Sequence, residues 1–149
     1  MGAVEKYLED FIVGEEIDVG QYDIVKEEMI AFASKWDPQP IHIDEEAAKR
    51  SAFKGLIAPG CYLIALSIAL INKAPSRPNI IAAIGWDEIR FLEPVRPGDR
   101  LYLTWECLEA RPSESKPDRG VVRNLFRLKN EKGKTVFTFK DHIIVRKKH

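Results

Sequence analysis

The chain has no surplus of either charge: Lys and Arg number 23, as do Asp and Glu. A domain that grips nucleic acid by its phosphates carries a basic surplus, so composition excludes an electrostatic case for that partner. Cysteine is scarce. Cys61 and Cys107 are the only two; they form no CxxC pair and fall far short of a disulfide scaffold, which points to a reducing, cytoplasmic setting. Histidine is nearly as scarce, with His42, His142 and His149 as the whole set. Neither of the last two has a partner at metal-ligand spacing, so no metal site is expected. Long apolar runs are missing too. The richest, "GCYLIALSIALIN" from Gly60 to Asn72, falls short of the roughly 18 residues that mark a membrane span. The opening "MGAVEKYLEDF" has early acidic residues and no apolar core, so we expect no export signal. It also lacks the Ser or Thr of a myristoylation site, so no lipid anchor is expected.

What is present describes an ordinary globular domain. Hydrophobic residues make up 45% and charged residues 31% of 149, which suits a single domain over residues 1–149. The run Gly60–Asn72 has Ser67 as its one polar interior residue, and a helix apolar all round is a buried helix. Residues 15–25 alternate weakly, as a strand does. The next segment shifts to helical period, with Met29, Phe32, Ala33 and Trp36 on one face. Asp44 reads as the N-cap of a short helix over residues 44–50, with Glu45 and Glu46 at the positive end of its dipole. Four strand-like runs follow the apolar helix, over residues 79–92, 100–110, 120–130 and 134–146, separated by Gly- and Pro-rich turns. Leu101, Leu103 and Trp105 share one face of theirs, and Arg123, Arg127 and Lys129 share the outer face of theirs. The expected architecture is α+β: an antiparallel sheet curled around one long buried helix. Such a sheet leaves long edge strands, which invite pairing with a second copy.

The stretch "WDPQPIH", residues 36–42, carries the first candidate chemistry. Asp37 and His42 stand at the two ends of a proline-stiffened segment that reads as a loop. Pro38 and Pro40 each fix φ near about −65° and bias the preceding residue toward extended backbone. A histidine beside a carboxylate is an acid/base pair, and a rigid segment would aim both side chains in advance. The plainer reading is a helix stop followed by a turn that the histidine satisfies, and these residues alone leave both open. Gly60 is the second candidate. Its N–H belongs to the donors left free at a helix N-terminus, although a glycine there can equally serve a tight entry into the helix. Ser67 has no base nearby and fits a hydrogen bond back to a helix carbonyl. Cys61, in the first helical turn, sits where a thiolate is stabilised, but a small buried apolar role is the commoner one.

Taken together, "DPQPIHIDEEAAKRSAFKGLIAPG" and "RFLEPVRPGDRL" resemble the MaoC-like dehydratases and (R)-specific enoyl-CoA hydratases, proteins of the hotdog fold. The family signature runs Asp-x-Asn-Pro-(Ile/Leu/Val)-His and, after five more residues, a small one. Here Asp37, Pro38, Gln39, Pro40, Ile41 and His42 are followed by Ala48. "GLIAPG" is similar to the family's Gly-x-Ile-Ala-His-Gly, and the later stretch to its Arg-Phe-x-x-Pro-Val-x-Pro-Gly-Asp. Gln39 stands where the family has Asn, Pro59 where it has His, and Trp36 where Gly is frequent.

The resemblance implies a hydratase or dehydratase acting on an acyl thioester, interconverting a trans-2-enoyl and an (R)-3-hydroxyacyl group. Asp37 and His42 would be catalytic, Gly60 would form the oxyanion hole, and Gln39 would position substrate or water. It implies no cofactor beyond the coenzyme A or acyl carrier that belongs to the substrate, and a homodimer or higher homo-oligomer. Two other readings remain at this point: a hotdog thioesterase, and a non-catalytic acyl-thioester-binding subunit. Residues 60–72 hold no Asp or Glu, which counts against an enzyme with its carboxylate on the central helix.

Overall fold

A computed structural model describes residues 3–149; Met1 and Gly2, on which the exclusion of a lipid anchor rests, lie outside the described residues. The chain runs β1 (Val4–Lys6), a 3-10 turn (Leu8–Asp10), β2 (Glu16–Asp23), α1 (Lys26–Trp36), α2 (Pro40–Ile43), α3 (Glu45–Lys49) and α4 (Gly60–Lys73). Then come β3 (Ser76–Pro78), β4 (Ile80–Phe91), β5 (Arg100–Pro112), β6 (Arg119–Lys129) and β7 (Thr135–Arg146). Five strands form one sheet in the order β2-β5-β6-β7-β4, every neighbouring pair antiparallel. This sheet with α4 against it is the expected α+β hotdog arrangement.

The alternation that marked the strands separates their faces. Along β6, Val122, Asn124, Phe126 and Leu128 are buried, while Arg123, Arg127 and Lys129 lie on the opposite face. Arg127 pairs there with Glu106 at 3.1 Å. Leu101, Leu103 and Trp105 of β5 join the same interior, where Trp105, Phe126, Phe139 and Phe137 pack as a connected aromatic set. Aromatic rings bury the largest apolar areas per residue, so this row supplies much of the driving force for closing the sheet over the helix.

Two expectations are corrected, and one pairing is new. First, α4 is not buried all round: Tyr62, Leu63, Leu66, Ser67 and Leu70 face the core, while Cys61, Ile68 and Asn72 are exposed on another stripe. Second, Trp36 does not join Met29 and Ala33 in the core; it is 63% exposed, with the Lys35 ammonium 4.9 Å from its ring centre. It is the last residue of α1, where the chain turns away and leaves the ring largely in solvent. In addition, β1 and β3 form a small parallel pair that no apolar alternation announced. Ser67 behaves as expected, donating to the Leu63 carbonyl at 2.8 Å. So does Asp44, whose carboxylate accepts from the Glu46 and Ala47 N–H groups at the head of α3.

Candidate active site

Helix α1 delivers Asp37. The Asp37 N–H still bonds to the Ala33 carbonyl at 2.8 Å, but Pro38 has no N–H with which to continue the ladder. Pro40 then starts a new helical turn, α2, instead of stiffening a loop, which corrects the reading of "WDPQPIH". The physical reason is positional. Proline costs a helix its interior hydrogen bonds, yet at the first helical residue its missing N–H would be unpaired anyway and its φ is already helical. His42 therefore sits on a helical turn and is 5% exposed.

Two hydrogen bonds and one close approach orient the pair. His42 Nδ1 lies 2.8 Å from the Ile57 carbonyl oxygen. A carbonyl can only accept, so Nδ1 carries the proton and the neutral ring presents a lone pair at Nε2. That Nε2 is 3.5 Å from Asp37 Oδ2, while the Gln39 amide donates to Asp37 Oδ1 at 3.0 Å. Two acceptors 3.5 Å apart can both reach one water molecule at ordinary hydrogen-bond length, about 2.8 Å. On protonation of the imidazole the same two atoms become an ion pair. The Ile57 segment is itself tied to α2, its N–H donating to the Ile41 carbonyl at 3.1 Å, so histidine and anchor move as one unit.

Gly60 opens α4 immediately after Pro59. The Pro59 carbonyl receives the Tyr62 and Leu63 N–H groups, whereas the N–H groups of Gly60 and Cys61 have no backbone partner among the described residues. They are the exposed positive end of a fourteen-residue helix. Glycine lets the Phe91 ring lie against the helix head: a Cβ would come within 2.4 Å of that ring and push it aside. Beside it opens a pocket of about 310 Å³, lined by Gly60, Phe91, Phe53, Leu63, Ile57 and neighbours. Asp37 and His42 are not in that lining; they adjoin it through Ile57, a lining residue whose carbonyl holds His42. Cys61 is exposed, contrary to the small buried role. Desolvation, and after it the Asp37 carboxylate, pushes its thiol above the usual range, opposite to a stabilised thiolate. Its sensitivity to Asp37 also places the carboxylate near the head of α4.

Sequence reasoning missed two parts of this arrangement. One is Ile57, which acts through its carbonyl and so leaves no side-chain signal. The other is a clamp between α1 and α4, in which Glu28 accepts from Tyr22 at 2.5 Å and from Tyr62 at 2.6 Å. The two phenols hold the Glu28 carboxyl below its ordinary range, and burial, followed by Glu28, drives the Tyr62 phenol upward. A tyrosine two residues beyond Gly60 was the available hint. No three His, Cys, Asp or Glu side chains among the described residues gather closely enough to hold a metal ion, and no described helix is long and apolar enough to cross a membrane.

Comparison with known proteins supplies the family. Residues 10–127 match the family described as the MaoC like domain. The crystal structure of a MaoC-like dehydratase from Rhodospirillum rubrum superimposes with a TM-score of 0.88 at 32% identity, covering 97% of this chain and 99% of that one. An R-hydratase from Pseudomonas aeruginosa, in its unliganded form, gives 0.76 at 29% identity over 95% of this chain and 86% of that one. A 3-hydroxybutyryl-CoA dehydratase of Methylorubrum extorquens is 31% identical over 104 residues, 66% of this chain and 65% of that protein. The chain spans less than two thirds of the length of several curated relatives that it matches. With the family matched over most of its length and the hotdog fold shared from end to end, the chain belongs to the MaoC-like dehydratase family.

Proposed function

We propose that the protein hydrates a trans-2-enoyl thioester to the (R)-3-hydroxyacyl thioester, or runs the reverse dehydration. The observation that carries this reading is the Asp37–His42 pair, its histidine tautomer set by Ile57, beside a helix N-terminus with free N–H groups. A water shared by Asp37 Oδ2 and His42 Nε2 gives its proton to Nε2 as its oxygen bonds to C3. The alkene electrons shift toward the thioester oxygen, where the Gly60 N–H and the helix dipole stabilise the negative charge. Collapse of that enolate draws the proton from the imidazolium Nε2 to C2, which restores the neutral ring, so water has been added across the double bond with no electron gained or lost. Asp37 stabilises the imidazolium formed on the way. The names of the R. rubrum, P. aeruginosa and M. extorquens relatives support the same reaction class.

The working unit in this reading is a homodimer. β4 lies at the sheet edge with Ile80, Ile84 and Trp86 exposed, and a long apolar edge strand calls for a partner strand. Light scattering of the purified chain checks this, and a monomer at micromolar concentration would contradict it.

The reaction is tested with crotonyl-CoA, following enoyl-thioester absorbance and free thiol together. Absorbance is expected to fall with no thiol released and with the (R) product formed. Thiol release in step with the absorbance loss would make the protein a thioesterase instead.

A further inference from the structure

We infer that the pocket between Gly60 and Phe91 receives the acyl chain, and that Phe91 is the residue that selects which chains enter at the carbonyl end. This rests on the thioester reading of the site. With the thioester oxygen on the Gly60 N–H, the first atoms of the acyl group must lie beside Gly60, where the neighbouring wall is the Phe91 ring. On the α1 side of α4 the space is already filled: Tyr62 is 4% exposed, bonded to Glu28 and packed on Phe32 with ring centres 5.2 Å apart. The open volume lies on the Phe91 side.

The chemistry of the lining identifies the occupant. The pocket presents Phe53, Ile57, Leu63, Leu92, Pro94 and Val95 and not one side-chain hydroxyl or amide. Its single charged residue, Glu93, is engaged by Lys134 at 2.8 Å. The pantetheine arm of a carrier has two amides that need partners, whereas a hydrocarbon chain needs none, so the lining fits the chain. A volume of about 310 Å³ stands at the small end of the range for ligand sites, roughly 300–1,000 Å³, which suits a short-to-medium acyl group.

The strand is shaped to place that ring. β4 breaks register with β7 between Asp87 and Arg90, and Glu88 there takes a positive φ of 49°, held by an ion pair with Lys140. A bulge of this kind re-aims the side chains that follow it. Phe91 comes next on the strand and stacks on the buried Phe137 at 5.3 Å between ring centres, interplanar angle 16°. Its ring is thus backed by the core on one side and turned to Gly60 on the other.

The test uses saturated S-acyl pantetheines, which bind without reacting and carry the arm common to coenzyme A and acyl carrier protein, titrated calorimetrically. Wild type is expected to bind the octanoyl ester at least about tenfold tighter than the butyryl ester, since each buried methylene favours binding. Leu92→Trp, which takes up space in the pocket lining, should lose that preference while its butyryl affinity stays within about threefold. Phe91→Leu, which shortens the inner wall, should gain about tenfold or more for the 2-ethylhexanoyl ester, branched at the α-carbon, with the linear butyryl ester little changed. Affinities for all three esters that move together in both variants would overturn the assignment, because the pocket would then hold the carrier arm or nothing. Binding that discriminates between chains without any hydration of crotonyl-CoA or trans-2-octenoyl-CoA would sustain the pocket and sink the hydratase reading. Wild type that binds none of the esters would end both.

Discussion

Two carboxylates in this molecule accept the same hydrogen bond and end in opposite circumstances. Gln39 donates its amide to Asp37 at 3.0 Å, and Asn124 donates its amide to Asp141 at 3.0 Å. Asp37 lies at a helix end with a side chain 29% exposed and an imidazole 3.5 Å away. Asp141 lies mid-strand, across the sheet from Asn124 on one side and Trp86 on the other. Burial pushes its carboxyl up to about 6, with the Asn124 amide pulling only partly the other way. An acid shifted by burial often marks a catalytic group. Here the shifted acid has no imidazole pointed at it and lines none of the pocket beside Gly60. A titration shift by itself does not identify a site; the partner and the open space next to it do.

The sharpest way to break the contrast is to remove each side in turn. His42→Ala and Asp37→Asn should each lower turnover on enoyl thioesters by about 10³-fold, inside the usual range for acid/base groups. The double variant should lose little more, since two residues acting as one unit are not additive. Asp141→Asn should leave turnover within about twofold. Steady-state kinetics on the four proteins decides: an Asp141 variant as damaged as the His42 variant would erase the distinction, and fully additive losses at Asp37 and His42 would dissolve the pair.

Stability should show the reverse order. The Asp141 carboxyl has its folded value near about 6 against 3.8 for the free group, so the folded state holds this proton more tightly than the unfolded one. Its favourable contribution is full below about pH 4 and is lost as pH rises through about 6; above that, the buried anion weighs against folding. Asp141→Asn removes the anion and keeps an amide against Asn124. The variant should be more stable than wild type at pH 8 by up to about 3 kcal/mol, and the gain should vanish near pH 4. Denaturant melts at the two pH values measure it. A gain independent of pH would show that packing, and not the buried charge, was responsible.

The same contrast separates what was legible in the sequence from what was not. The run Gly60–Asn72, the alternation of β5 to β7, the Asp44 cap and the back-bonded Ser67 were all local signals, and each appears in the structure. Asp37, Gln39 and His42 were found because a residue pattern flagged them; their contacts were not legible, because His42 is set by a main-chain carbonyl fifteen residues away. The segment around Pro40 was read as a loop because proline breaks helices, and the exception at a first helical turn depends on where the helix starts. Trp36 and the outer stripe of α4 fit apolar periodicity, but whether a partner element covers a face depends on tertiary packing. The β1–β3 pair joins residues about seventy positions apart through three-residue strands, one of them ending in Pro78, and nothing local announces such a contact.

The smallest expected effect bears on the amide itself. Gln39 stands where the family signature has Asn, and its extra methylene raises the question of where the amide goes. Instead its side chain reaches back two residues and meets Asp37 Oδ1, leaving Oδ2 as the oxygen that faces His42. In this chain the length of Gln matches the position of the carboxylate. Gln39→Asn should withdraw the donor by more than about 1 Å, beyond ordinary hydrogen-bond length, and free the Asp37 side chain to rotate. Because the carboxylate is misoriented but not removed, kcat should fall several-fold, about 3- to 10-fold, far less than on losing His42. KM should hold, since the amide touches Asp37 and lines no part of the acyl pocket. The melting temperature should also hold, because Gln39 is exposed. A fall in KM-dependent rates with kcat intact would recast Gln39 as a substrate contact, and an unchanged kcat would mean that Asp37 needs no amide to aim it.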